Sequence, residues 1–119
     1  MRLGQSAEIT RTYTAEEVAE LAALAGTSPA ADTVPEPLVH ALFSYLLGVE
    51  LPGQGTNYLK QETAYLAPAP LGEALTARVE ITRLRPDKHL VDLKTTCTTA
   101  TGTLIAEGRA LVLAKDVVG

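Results

Sequence analysis

From Leu75 to Thr82 the apolar side chains of Leu75, Ala77, Val79 and Ile81 alternate with Thr76, Arg78, Glu80 and Thr82. A period of two places one set on each face of a strand, so the stretch predicts a sheet with one apolar and one wet face. Its range is 74–84, and similar extended patterns over 56–66, 89–99 and 103–114 predict three further long strands. Pro86 and Asp87 supply turn residues and Gly102 sits in a second short connection, so the last three strands predict an antiparallel meander. Residues 5–13 also have strand character.

Twice the spacing changes to that of a helix. Thr14 and Glu17 form a capping box ahead of 15–25, where Val18, Leu21, Ala22 and Ala25 recur on one face and Gly26 supplies the stop. Beyond a Pro-rich loop, a second helix is predicted over 37–47, with Pro37 in its first position. Leu38, Val39, Ala41, Leu42, Phe43, Tyr45, Leu46 and Leu47 leave it no polar face, which predicts burial on all sides. One such helix with a long antiparallel sheet predicts an α+β fold in which the sheet curls around the helix.

Composition narrows the function classes. A chain of 119 residues makes one domain, 1–119, and 46% apolar with 20% charged residues is the balance of an ordinary soluble globular protein. The start MRLGQSAEIT has no signal-peptide core, and the apolar run from Leu38 to Leu47 is far shorter than a membrane span, so a cytoplasmic location without a membrane partner is expected. Cys97 is the single cysteine and the histidines are His40 and His89, too few ligands to predict a metal site. The net charge of −4 with ten scattered Lys and Arg gives no basic stripe for nucleic acid.

The polar residues of the second helix carry the candidate chemistry. Glu36, His40 and Ser44 are spaced four apart and fall on one line of its surface. Histidine exchanges protons readily near neutral pH, so His40 is a candidate acid or base and Glu36 a candidate carboxylate partner. The same line has a structural reading: His40 bonded to a backbone carbonyl inside the core, Ser44 bonding back along the helix, and Glu36 as a favourable charge at the positive helix end. The N–H groups of Leu38 and Val39, beyond Pro37, are candidate donors to a ligand oxygen. Asp32 is a loop carboxylate, His89 a surface residue beside the Pro-Asp turn, and Cys97 a core residue.

The segments LPGQGTNYL (51–59), YLAPAPLGEALTARVEIT (65–82) and AEGRALVL (106–113), in this order and spacing, resemble the MaoC-like, (R)-specific enoyl-CoA hydratase family. The resemblance implies a hot-dog fold, an acyl-CoA or acyl-carrier-protein thioester as partner, and a homodimer with the thioester at the subunit boundary. It implies no cofactor. Ser44 matches a serine that family members carry near the thioester. The family draws its acid and base from an Asp and a His in a Gly-Asp-x-Asn-Pro-x-His motif after the first helix. Here Gly26-Thr27-Ser28-Pro29-Ala30-Ala31-Asp32 stands in that place, with Thr27 at the Asp and Ala31 at the His once one residue is deleted, or with Asp32 at the His without the deletion, which restores one carboxylate but no dyad. Threonine and alanine do not exchange protons near neutral pH, so the dyad is missing. Three readings stay open: a hydratase or dehydratase that has lost its acid and base or moved them to His40 and Glu36, a hot-dog thioesterase, and an inactive thioester-binding or structural subunit.

Overall fold

In the computed structural model, which describes residues 1–24, 33–53 and 56–114, the predicted capping box closes. The Glu17 N–H donates to Thr14 Oγ1 at 3.1 Å and the Thr14 N–H to Glu17 Oε1 at 3.3 Å. These bonds satisfy otherwise orphaned donors and start helix α1 at Ala15–Leu24. Strand β1 (Ser6–Thr12) precedes it, and Arg11, paired to Glu17 at 2.8 Å, holds that carboxyl below its ordinary range.

After the short strand β2 (Thr33–Val34), the central helix α2 spans Glu36–Tyr45 and runs on through a wider, π-type turn, Leu46–Glu50. The remaining strands are β3 (Asn57–Tyr65), β4 (Ala69–Pro70), β5 (Ala74–Arg85), β6 (Leu90–Thr99) and β7 (Leu104–Leu113). Strands β5, β6 and β7 form the predicted meander, β1 joins its outer side and β3 pairs with β7, giving an antiparallel sheet in the order β1-β5-β6-β7-β3. Strands β2 and β4 make a separate small pair. Gly108 lets β3 close on β7, because a Cβ there would collide with the Glu62 carbonyl.

The alternation read from the sequence sets the inner face. Leu75, Ala77 and Val79 are fully buried and Ile81 is 1% exposed, against Leu93 and Cys97 of β6. Burial pushes the Cys97 thiol up to about 11, so it serves as a small core hydrophobe. Helix α2 supplies the opposing layer with Val39, Leu42, Phe43 and, in the turn beyond it, Leu46 and Leu47. At about 1.5–3 kcal/mol for each fully buried side chain of this kind, that stripe is a major part of the apolar stabilisation among the described residues.

The prediction of burial on all sides fails for α2 within one chain. Glu36, Pro37, His40, Ala41 and Tyr45 are exposed, as is Val49 in the following turn. An apolar pattern records that a surface will be covered and does not record whether its own chain covers it. His40 is therefore not a core histidine. No helix among the described residues is long and apolar enough to cross a membrane.

Candidate active site at the amino end of the central helix

A cavity of about 430 Å³ opens where α2 begins. Its apolar walls are Val34, Val39, Ala69 and Ile105, and its polar groups are Thr33, Glu36 and Tyr65. Two elements build it: the β2–β4 pair carries the chain into the helix along one side, and the last turn of β3 delivers Tyr65 and the Leu66-Ala67-Pro68 segment to the other.

Glu36 occupies the first helical position, where a carboxylate is favoured by the positive end of the helix dipole. Tyr65 donates its hydroxyl to the Glu36 backbone carbonyl at 3.5 Å, a long bond that leaves the hydroxyl able to turn to another acceptor. Burial, followed by the negative charge of Glu36, raises the Tyr65 pKa, so the group remains a proton donor across the neutral range. Both features point to a site that binds a carbonyl or hydroxyl oxygen within apolar walls.

The sequence-predicted residues divide. Glu36 and Val39 line the cavity, whereas Leu38, His40 and Ser44 do not. His40 is one turn along α2 and exposed, and Ser44 is half-buried a further turn on. The Leu38 N–H is committed to the Pro35 carbonyl at 3.0 Å, and in a regular helix the Val39 N–H is the first to bond back along the chain. With Pro37 lacking a donor, the helix end offers a ligand only the Glu36 N–H from its first two residues. Thr27, Ser28, Ala31 and Asp32 lie outside the described residues.

Tyr65 and Thr33 are site residues that the sequence reading missed. The available signal was the alternation in β3, which puts Gln61, Thr63 and Tyr65 on the inner face opposite Ala110, Gly108 and Ala106. A tyrosine on the inner face of an edge strand reaches the end of the helix that the sheet encloses.

No protein-family model matches the chain. A relative from Aeromonas caviae, named (R)-specific enoyl-CoA hydratase, is 39% identical over 126 aligned positions that cover 94% of each chain. That aligned length exceeds the 119 residues present here, so the relative carries residues inside the match that this chain lacks. A solved structure of an (R)-hydratase from A. caviae superposes with a TM-score of 0.83 at 35% identity, covering 94% of this chain and 96% of the other. A Thermus thermophilus protein described as a thioesterase superfamily member reaches 0.68 at 17% identity over 94% of this chain and 82% of its own, a likeness of fold alone.

Proposed function

Since the chain belongs to the (R)-specific enoyl-CoA hydratase family and has its hot-dog fold, we propose that it hydrates short trans-2-enoyl thioesters at the α2 cavity, with Glu36 as the acid–base carboxylate. The observation that carries this reading is the position of Glu36: a carboxylate in an apolar-walled cavity at the helix end, in a chain whose sequence at 26–32 lacks the Asp and His of the family's motif. Glu36 takes a proton from water as the water oxygen bonds to the β-carbon, and the π electrons of the double bond move toward the thioester oxygen, where the Tyr65 hydroxyl can donate to the developing negative charge. The enolate is then discharged when the protonated second member of the acid–base pair delivers its proton to the α-carbon. Val34, Val39 and Ile105 hold the acyl group, and the substrate is an acyl-CoA or acyl-carrier-protein thioester.

The active form in this reading is a homodimer joined at β3. Strand β3 is an open sheet edge, and its inner-face residues Gln61 and Thr63 are only half-buried, whereas inner-face residues of β5 and β6 such as Ala77, Val79, Leu93 and Thr95 are buried. Tyr45, Val49, Leu59 and Leu66, each between 44% and 55% exposed, add apolar surface on α2 and along β3. A second copy that extends the sheet at β3 would enclose the exposed side of α2. His40 would then be brought into a closed site, where it can serve as the second member of the acid–base pair, with Ser44 beside the thioester.

Hydration of a four-carbon trans-2-enoyl-CoA, followed as loss of enoyl absorbance, tests the reading. The Glu36→Gln variant is expected to lose roughly 10²-fold or more in rate, the scale of positioned acid–base catalysis. Unchanged hydration in that variant removes Glu36 from the mechanism. Release of free CoA from a saturated acyl-CoA without hydration favours the thioesterase reading. Acyl-CoA that raises the melting temperature while neither reaction occurs favours a binding subunit.

A further inference from the structure

The outer face of the sheet carries a second cleft, of about 290 Å³, between β5, β6 and β7. It shares no residue with the α2 cavity. Arg83, Arg85, Lys94 and Arg109 line it, with Asp92 as the one carboxylate. Four cations against one anion is a local excess of positive charge in a chain whose net charge is −4.

The arrangement within the cleft is ordered. Asp92 is 7% exposed, and its oxygens accept from Arg85 Nη2 at 2.6 Å and Arg109 Nη2 at 3.4 Å. A single buried carboxylate thus holds the Arg85 guanidinium closely and draws the largely exposed Arg109 guanidinium toward the same point of the cleft. The Arg85 Nε–H is buried and has no acceptor among the described residues. Arg83 and Lys94 form no ion pair among those residues, although Arg83 stands opposite Asp92 in the register. Glu80 and Glu62, which stand opposite Lys94 and Arg109, are engaged by Arg78 at 2.7 Å and Lys60 at 2.9 Å.

Strand pairing also sets Lys94 directly opposite Arg109. Like charges in that relation repel and lower stability, and an anion between them reverses the sign of the contribution. Guanidinium groups with several donors in a plane match the oxygens of a phosphoryl group, and an ammonium adds a point charge without orientation.

We propose that this outer cleft binds a phosphate-type anion, with Arg85 held by Asp92 and Arg109 drawn toward it as donors and with Arg83 and Lys94 supplying additional charge. The proposal does not depend on the reading of the α2 cavity. A phosphoryl group can arrive as a free anion or as the phosphorylated end of a nucleotide-bearing carrier, and two probes separate these sources.

Isothermal titration of the full chain with inorganic pyrophosphate and, separately, with adenosine 3′,5′-bisphosphate, at fixed ionic strength, tests it. Saturable binding of one anion per chain is expected, weakened at least tenfold in Lys94→Glu and in Arg83→Glu. Both side chains are exposed, so both variants keep the fold, and two variants guard against a peculiarity of either. Saturation by the bisphosphate alone assigns the site to a nucleotide carrier, and saturation by both assigns it to the phosphoryl group itself. Absence of saturable binding by either probe, or binding unchanged in both variants, overturns the proposal.

Discussion

Along one side of α2 and the turn beyond it, Val39, Leu42, Phe43, Leu46 and Leu47 are at most 5% exposed, while along the other Glu36, His40, Ala41, Tyr45 and Val49 meet solvent. The buried side is wholly apolar, whereas the exposed side sets the single polar line of Glu36, His40 and Ser44 beside Ala41, Tyr45 and Val49, a narrower polar face than a helix on open water normally carries. The buried side rests on β5, with the turn beyond α2 also meeting β1, and belongs to the same apolar core as the inner faces of β6 and β7. The exposed side has the composition of a covered surface without a cover from its own chain, and the cavity with Glu36 and Tyr65 opens at its end. In a small domain, one helix thus supplies a core on one side and, in the function proposed above, a surface for partner and substrate on the other.

Substitutions on the two sides are expected to separate stability from assembly and activity. The largest loss of stability belongs to Phe43, which has no exposed surface. Phe43→Ala removes a ring from the middle of the layer, and the rigid sheet beneath it limits collapse of the resulting space. Destabilisation of about 3–5 kcal/mol is expected in urea unfolding, much of the stability of an ordinary domain. A change below about 1 kcal/mol would mean that the buried side does not organise the core, and the comparison would fail.

The part of the structure that was legible in the sequence follows the same division. Alternation in 74–84 located the inner face of β5, the Thr14–Glu17 pair located the start of α1, and Cys97 was placed in the core from its spacing to Val91 and Leu93. These features depend on local periodicity and on bonds within a few residues. Exposure of the side that holds His40 and Tyr45 was not legible, because the spacing of apolar residues along a helix does not say whether its own chain covers them. Tyr65 was missed for a related reason: its contact with Glu36 joins residues 29 positions apart, brought together only when the sheet closes on the helix. Glu36 was legible as a carboxylate at a helix start because that signal is local, whereas its place in the wall of the cavity was not. The outer cleft was invisible as well, since its cations are scattered along three strands and converge only through register.

An intermediate effect is expected from charging the exposed side. Tyr45→Lys combined with Val49→Lys places two ammonium groups on exposed positions, with little change expected in the packing of a single chain. Light scattering at micromolar concentration should show a dimer in the unaltered protein and a shift to monomer in the double variant. The melting temperature of the unaltered protein should rise with concentration, and this dependence should weaken in the variant. A monomeric unaltered protein would leave the exposed side as a free surface, and His40 would then have no route into a closed site.

The smallest effect on stability is expected at His40, and for that reason its substitution gives the cleanest test of the exposed side. The imidazole is exposed and outside the cavity, so His40→Ala should change stability by less than about 0.5 kcal/mol, typical of surface positions, with the higher helix propensity of alanine acting in its favour. A loss of enoyl hydration in this variant therefore cannot be attributed to a damaged fold. If a second copy brings His40 to the substrate, the rate should fall by about 10²–10⁴-fold, the range for a positioned acid or base, while the dimer and the melting temperature are retained. An unchanged rate, with Glu36→Gln still inactive, would assign the acid–base chemistry to the cavity alone and leave His40 as part of the covering surface. The contrast between two residues one helical turn apart then measures how far the site extends from the cavity along α2.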